Sequence, residues 1–121
     1  MVDDEPDLDF LIQQRFRVQI AMKQLRFHFA RNGSQALEIL EKEPNISLMV
    51  TDLNMPQMNG LELLLQTRIK FPKVTNVVIS AYGDTKTIQE ATAMGATHFL
   101  TKPLNFKFFE EILRGNDSRP A

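Results

Sequence analysis

Short apolar runs alternate along this chain with longer stretches whose apolar residues recur every three or four positions. Met1-Val2 is a stub of apolar sequence before Asp3-Asp4. Pro6 suits the first turn of a helix, and the acids around it suit the helix's positive end. The spacing predicts a helix from about Pro6 to Lys23, with Leu8, Leu11, Ile12, Phe16 and Ile20 on one face. Phe10, Val18 and Met22 form a second apolar set off that face. Leu25 to Ala30 alternates with period two, as a half-exposed edge strand does, with Phe27 and Phe29 on its inner face. Asn32-Gly33 reads as a turn, and Ser34 to Lys42 as a helix carrying Ala36, Leu37, Ile39 and Leu40.

Leu48-Met49-Val50 and Val77-Val78-Ile79 are continuous apolar runs, the mark of strands covered on both faces. A helix from about Gly60 to Phe71 follows the first of them. Another starts near Asp84, a good N-cap, and ends near Gly95. Phe99-Leu100 is a short strand. A last helix spans roughly Asn105 to Arg114, with Phe106, Phe109, Ile112 and Leu113 on one stripe. Phe108 falls off that stripe, as either a tucked side chain or an exposed contact to a partner or a second copy. Residues 1–114 form one domain in this reading. The polar stretch from Gly115 to Ala121 reads as a linker or a frayed end. About five strands and five helices in alternation give an α/β protein, a parallel sheet with helices on both faces.

The length of 121 residues suits one core. An apolar fraction of 43% and a charged fraction of 24% are ordinary for a soluble globular chain. The net charge of −1 gives no global field for nucleic acid or anionic membrane. The absence of cysteine excludes disulfides, thiol catalysis and zinc-thiolate sites. No apolar run is long enough to span a bilayer, and the acidic start is unlike a signal peptide. A cytoplasmic location is the simplest expectation.

Asp3-Asp4, Asp52, Ser80 and Lys102 all fall where predicted strands end. In a parallel sheet these ends share one edge, where ligands of open α/β sheets gather. Three converging carboxylates repel, by roughly 4 kcal/mol for a pair about 4 Å apart at an effective dielectric near 20. A divalent cation resolves this, and an all-oxygen shell suits Mg²⁺, with Mn²⁺ as its substitute. Lys102 adds a positive charge and Ser80 a hydroxyl donor. A carboxylate nucleophile, a metal, an ammonium and a hydroxyl suit phosphoryl transfer to give an acyl phosphate. Taken singly, each feature has a plain reading: a solvated acid pair, a turn-capping Asp, a strand end, a loop stopped by Pro103. Their joint placement is what points to chemistry.

Asp-Asp-Glu-Pro at 3–6, Asp-Leu-Asn-Met-Pro-Gln-Met-Asn-Gly at 52–60, Ser80-Ala81 and Thr101-Lys102-Pro103 together resemble a response-regulator receiver domain. The resemblance covers nearly the whole chain. It implies a flavodoxin-like, doubly wound, five-stranded parallel sheet in the order 2-1-3-4-5. It makes Asp52 the phosphoacceptor, fed by a sensor histidine kinase or a histidine phosphotransfer protein. It makes Asp4 a direct Mg²⁺ ligand and Asp3 one acting largely through water, with Asp52 and the Asn54 carbonyl completing the protein's share of the shell. Ser80 becomes the switch hydroxyl, Lys102 the motif's lysine and Phe99 the aromatic switch. Phosphorylation then reshapes the face made by the fourth helix, fifth strand and fifth helix. Tyr82 is expected to cover the phosphoryl group against water. His28 and His98 are expected to be structural or exposed.

The chain departs from the pattern in two places. Only Met1 and Val2 precede the acid pair, so either the sequence given begins close to that pair or the first strand is short and the sheet's centre weakened, and the first helix and its following turn are a few residues longer than the pattern. Two alternatives stand beside the receiver reading. A small aspartate-nucleophile phosphatase needs a second Asp two positions after Asp52, and Asn54 stands there. A degenerate receiver would bind partners without being phosphorylated. An output domain, fused or separate, and a homodimer fit the family, as does the absence of direct nucleic-acid or membrane binding; the protein is then a switch and not a turnover enzyme.

Overall fold

The computed structural model describes residues 1–3, 6–53, 60–81, 83, 85–102 and 104–117. Its first helices are α1 (Pro6–Arg15), α2 (Arg17–Ala21) and α3 (Gly33–Lys42). Strand β1 (Leu48–Asp52) and helix α4 (Gly60–Lys70) follow, then β2 (Thr75–Ser80), α5 (Thr85–Ala93), β3 (Ala96–Thr101) and α6 (Phe106–Asp117). The three strands form a parallel sheet in the order β1-β2-β3.

The two other expected strands are present only as single bridges. Val2 bridges Ala30 on one side and Thr51 on the other, both in parallel sense. Val2 N–H donates to the Val50 carbonyl at 2.7 Å, and Asp52 N–H donates to the Val2 carbonyl at 2.9 Å. On the other side Asp3 N–H donates to Ala30 at 3.0 Å and Ala30 N–H to Met1 at 2.9 Å. The spatial order is therefore 2-1-3-4-5 with the first two members reduced to a few residues. The alternating segment Leu25 to Ala30 joins the sheet at its end, through the Val2–Ala30 bridge and the Met1 amine, which donates to the His28 carbonyl at 2.9 Å. Phe27 and Phe29 still share a side and stack, with ring centroids 6.1 Å apart.

Two apolar clusters cover the two faces of the sheet. Met49 and Val78 pack with Ala36, Leu40, Leu63, Leu64 and Ala91 from α3, α4 and α5. Val50, Val77, Ile79 and Leu100 pack with Ile12 of α1, Phe16 between α1 and α2, and Phe109, Ile112 and Leu113 of α6. Neighbouring strand residues thus feed opposite clusters, and this is why the strands carry no polar alternation.

The expected helix from Pro6 to Lys23 is broken. Phe16 has φ −109° and ψ 22°, and a separate short helix follows it. The bend seats the Phe16 ring, fully buried, 5.7 Å from the Phe27 ring and 5.8 Å from the Phe109 ring. Lys23, with φ 61°, ends the second piece. Ile12 lies on the buried face as expected, whereas Leu11 is half exposed with Phe10, Val18 and Met22. Asn32-Gly33 starts a helix instead of making a free turn: the Asn32 side chain accepts from Gln35 N–H at 2.9 Å, an N-cap. Asn105 caps α6 in the same way, accepting from Phe108 N–H at 3.1 Å. That helix runs through Gly115 to Asp117, beyond the expected stop at Arg114. One glycine in a helix costs only about 1 kcal/mol against alanine, too little to end a well-packed one. Phe108 is exposed. The N-cap expected at Asp84 lies outside the described residues, and Gly95, with φ 113°, follows α5 where a stop was expected.

Candidate functional site

The register of the sheet brings the key side chains to one edge. Asp52 is the last residue of β1, opposite Ile79, and Ser80 is the last residue of β2, opposite Thr101. Both ladders run one step past the strand ends. Leu53 N–H donates to the Ile79 carbonyl at 3.3 Å, and Lys102 N–H donates to the Ser80 carbonyl at 2.9 Å. Backbone pairing therefore fixes where Lys102 leaves the sheet. Asp3, set by its bond to Ala30, stands on the other side of Asp52.

The side chains meet as their types require. Lys102 Nζ lies 2.6 Å from Asp52 Oδ2 and 3.8 Å from Asp3 Oδ2. Asp3 and Asp52 are buried, 1% and 5% exposed, while the Lys102 side chain keeps 26% of its surface in solvent. Two desolvated carboxylates thus share the Lys102 ammonium, and these three described side chains together carry a net negative charge. An attraction at the Asp3 distance is of order 4 kcal/mol at an effective dielectric near 20, before desolvation is counted. Ser80, 1% exposed, closes the same edge from β2. Phe99 lies three residues before Lys102 on β3, partly buried against the cluster that α3, α4 and α5 cover.

Asp4, Asn54, Tyr82 and Pro103 lie outside the described residues. Among the described residues no group of three metal-ligating side chains occurs. The donor chemistry nonetheless fits a hard cation. The described acids offer only carboxylate oxygens, they are buried, and their charge exceeds that of the one ammonium they share.

Two features escaped the sequence reading. Arg31, just after the bridge at Ala30, pairs with the buried Asp9 of α1 and donates from Nη1 to the Asp3 carbonyl at 3.4 Å. It clips α1 to the strand end that carries Asp3. An arginine 22 positions from its acid carries no spacing signal. Gly60, read only as a helix start, sits where a Cβ would come 2.5 Å from the Asp52 carbonyl oxygen and 2.5 Å from the Leu53 Cα. Gly60 N–H donates to the Leu53 carbonyl at 2.8 Å, which ties the start of α4 to the end of β1.

A parallel sheet covered on both faces, with an acid, a hydroxyl and a lysine at the carboxyl ends of three successive strands, defines an α/β module with an aspartate-centred site. Residues 1–114 match the response regulator receiver domain family, and the chain belongs to that family. It is 34% identical over 113 residues to the response regulator protein PilR of Pseudomonas aeruginosa, covering 93% of this chain and 24% of that protein. It is 29% identical over 109 residues to a probable chemotaxis protein CheY of Rhizobium etli, covering 88% and 81% respectively. The fold matches a response regulator receiver protein from Pseudomonas putida with a TM-score of 0.78 at 23% identity, over 93% of this chain and 91% of that one. The chain thus spans about a quarter of PilR and most of the Rhizobium relative. Among the described residues no helix is long and apolar enough to cross a membrane.

Proposed function

We propose that this receiver domain takes a phosphoryl group onto Asp52 from a phosphohistidine of a sensor kinase or phosphotransfer protein. The observation that carries the reading is the Asp52 carboxylate, buried at the sheet edge and 2.6 Å from the Lys102 ammonium. An Asp52 oxygen attacks phosphorus, the new O–P bond forms, and the P–N bond breaks with its electron pair going to the imidazole. Lys102 is placed to leave Asp52 for the incoming phosphoryl oxygens, whose charge exceeds that of the carboxylate. Ser80 supplies a hydroxyl donor to the same group. Asp3, Asp4, Asp52 and the Asn54 carbonyl would hold Mg²⁺ or Mn²⁺. That ion, when bound, offsets the phosphoryl charge beside the acids.

The output is a two-state switch. Moving Ser80 toward a phosphoryl oxygen opens space beside β3, and Phe99, three residues before Lys102, turns into it. The face built from α5, β3 and α6 then changes shape. The domain works as an intracellular regulator and not as a turnover enzyme, because Asn54 stands where a phosphatase of the competing type needs its general acid. It acts through a fused or separate output partner, or through a second copy of itself.

The test is incubation with a phosphorylated histidine phosphotransfer domain, with intact-mass detection. One phosphoryl group should add in Mg²⁺, fail to add in EDTA, and fail to add to Asp52→Asn. Equal labelling of Asp52→Asn sinks the proposal. Steady release of phosphate from a small monoester would favour the phosphatase instead.

A further inference from the structure

Both backbone groups of Asp3 are held by two consecutive residues. Its N–H donates to the Ala30 carbonyl at 3.0 Å, and its carbonyl accepts from Arg31 Nη1 at 3.4 Å. The same Nη1 pairs with Oδ2 of Asp9, in the first turn of α1. A guanidinium Nη carries two hydrogens, one for each acceptor. One nitrogen therefore ties the backbone of Asp3 to the start of the helix that follows it. Arg31 is itself anchored to α3. Its N–H donates to Gln35 Oε1 at 2.9 Å, and Gln35 N–H donates to the capping Asn32 Oδ1 at 2.9 Å. Asp9 is 5% exposed, and its Oδ1 has no hydrogen-bond partner among the described residues. A buried acid in this state is an expensive way to hold a helix in place. Apolar side chains of similar volume would hold it as well or better. What they cannot supply is a donor for the Asp3 carbonyl.

We infer that Arg31, with Asp9 behind it, is a positioning residue for Asp3 and thereby sets the affinity of the Asp52 edge for Mg²⁺. The inference rests on the reading above, in which Asp3 belongs to the protein's share of the Mg²⁺ shell. Mg²⁺ demands near-ideal octahedral geometry, so a small displacement of the Asp3 carboxylate weakens binding. Partners that orient metal ligands typically account for about 10–100-fold in affinity. Arg31 works through the backbone of Asp3 and not on its carboxylate, which places its effect near about tenfold. Charge alone predicts another outcome. Removing a nearby cation would tighten cation binding, and removing the Asp9 charge would loosen it.

The test is calorimetric Mg²⁺ titration of the 121-residue protein and its variants, with the urea midpoint of each. Arg31→Ala should bind Mg²⁺ about tenfold more weakly than the parent. Asp9→Asn, whose amide oxygen still accepts from Arg31, should stay within about twofold. Combining the two substitutions should return most of the urea midpoint lost by Arg31→Ala and leave Mg²⁺ affinity about tenfold low. A merely structural pair would recover both together. The Mg²⁺ concentration for half-maximal labelling of Asp52 should rise by the same factor in Arg31→Ala. Equal or tighter Mg²⁺ binding by Arg31→Ala overturns the inference, as does affinity that returns with the midpoint in the double variant. A loss in Asp9→Asn as large as in Arg31→Ala overturns it in favour of charge. If the parent binds no Mg²⁺, the metal reading falls and the role of Arg31 falls with it.

Discussion

Lys102 and Asp52 are fifty residues apart in sequence and 2.6 Å apart in space, and Asp3 draws on the same ammonium from 3.8 Å. Among the described side chains the Lys102 ammonium serves two buried acids, which suits the site to a further positive charge. Removing one acid should therefore relieve their repulsion. Asp52→Asn is expected to be as stable as the parent or more stable by about 1–2 kcal/mol, from lost desolvation and repulsion. Lys102→Met should cost about 1–3 kcal/mol, below the range for a fully buried pair because Lys102 is partly solvated. Urea unfolding of both variants without added metal checks the opposite signs.

Gly60 is held by backbone, not by flexible side chains. In an open helix Gly→Ala gains up to about 1 kcal/mol. Here the added Cβ would lie 2.5 Å from the Asp52 carbonyl oxygen, which must move with the strand end. Gly60→Ala is expected to lose about 1–3 kcal/mol and to slow labelling of Asp52. A denaturant midpoint equal to or above that of the parent would refute the clash.

Arg31 and Asp9 should behave as a unit. Asp9 is buried and Arg31 half exposed, so removing the arginine strands the acid. Arg31→Ala is expected to cost about 1–3 kcal/mol, and adding Asp9→Asn should return most of it. A double-mutant cycle with no coupling would show that the pair does not tie α1 to the strand end at Asp3.

Phe10 on α1 and Phe16 at the bend that follows it make a contrast. Phe16 is fully buried against two other rings, and Phe10 is 62% exposed. Phe16→Ala should cost about 3–5 kcal/mol, while Phe10→Ser should stay within about 0.5 kcal/mol. Equal losses at the two positions would contradict the packing of α1 and of the bend after it.

The site's described members were legible because parallel topology converts strand ends into neighbours. Asp52, Ser80 and Lys102 each follow or end an apolar run, and the register does the rest. The cores of the later strands and helices were legible for the same reason, since Leu48 to Val50 and Val77 to Ile79 are apolar without alternation. The first thirty residues were less so. Leu25 to Ala30 has the alternation of a strand, yet alternation cannot say how much of it a partner strand pairs, and only Ala30 bridges Val2. Phe16 sits on the expected helical face, but the bend that buries it is a tertiary demand from Phe27 and Phe109. Arg31 and Gly60 act through distant backbone and a distant acid, and no local pattern records that.

The most direct measurement is chemical mapping of the phosphorylated residue. Borohydride reduces an aspartyl acyl phosphate to homoserine, which peptide mass spectrometry locates. After phosphotransfer in Mg²⁺ and reduction, homoserine is predicted at position 52 and at no other acid. Homoserine at another acid, or phosphate retained on Ser80 or a histidine, would contradict the assignment of Asp52 as the phosphoacceptor.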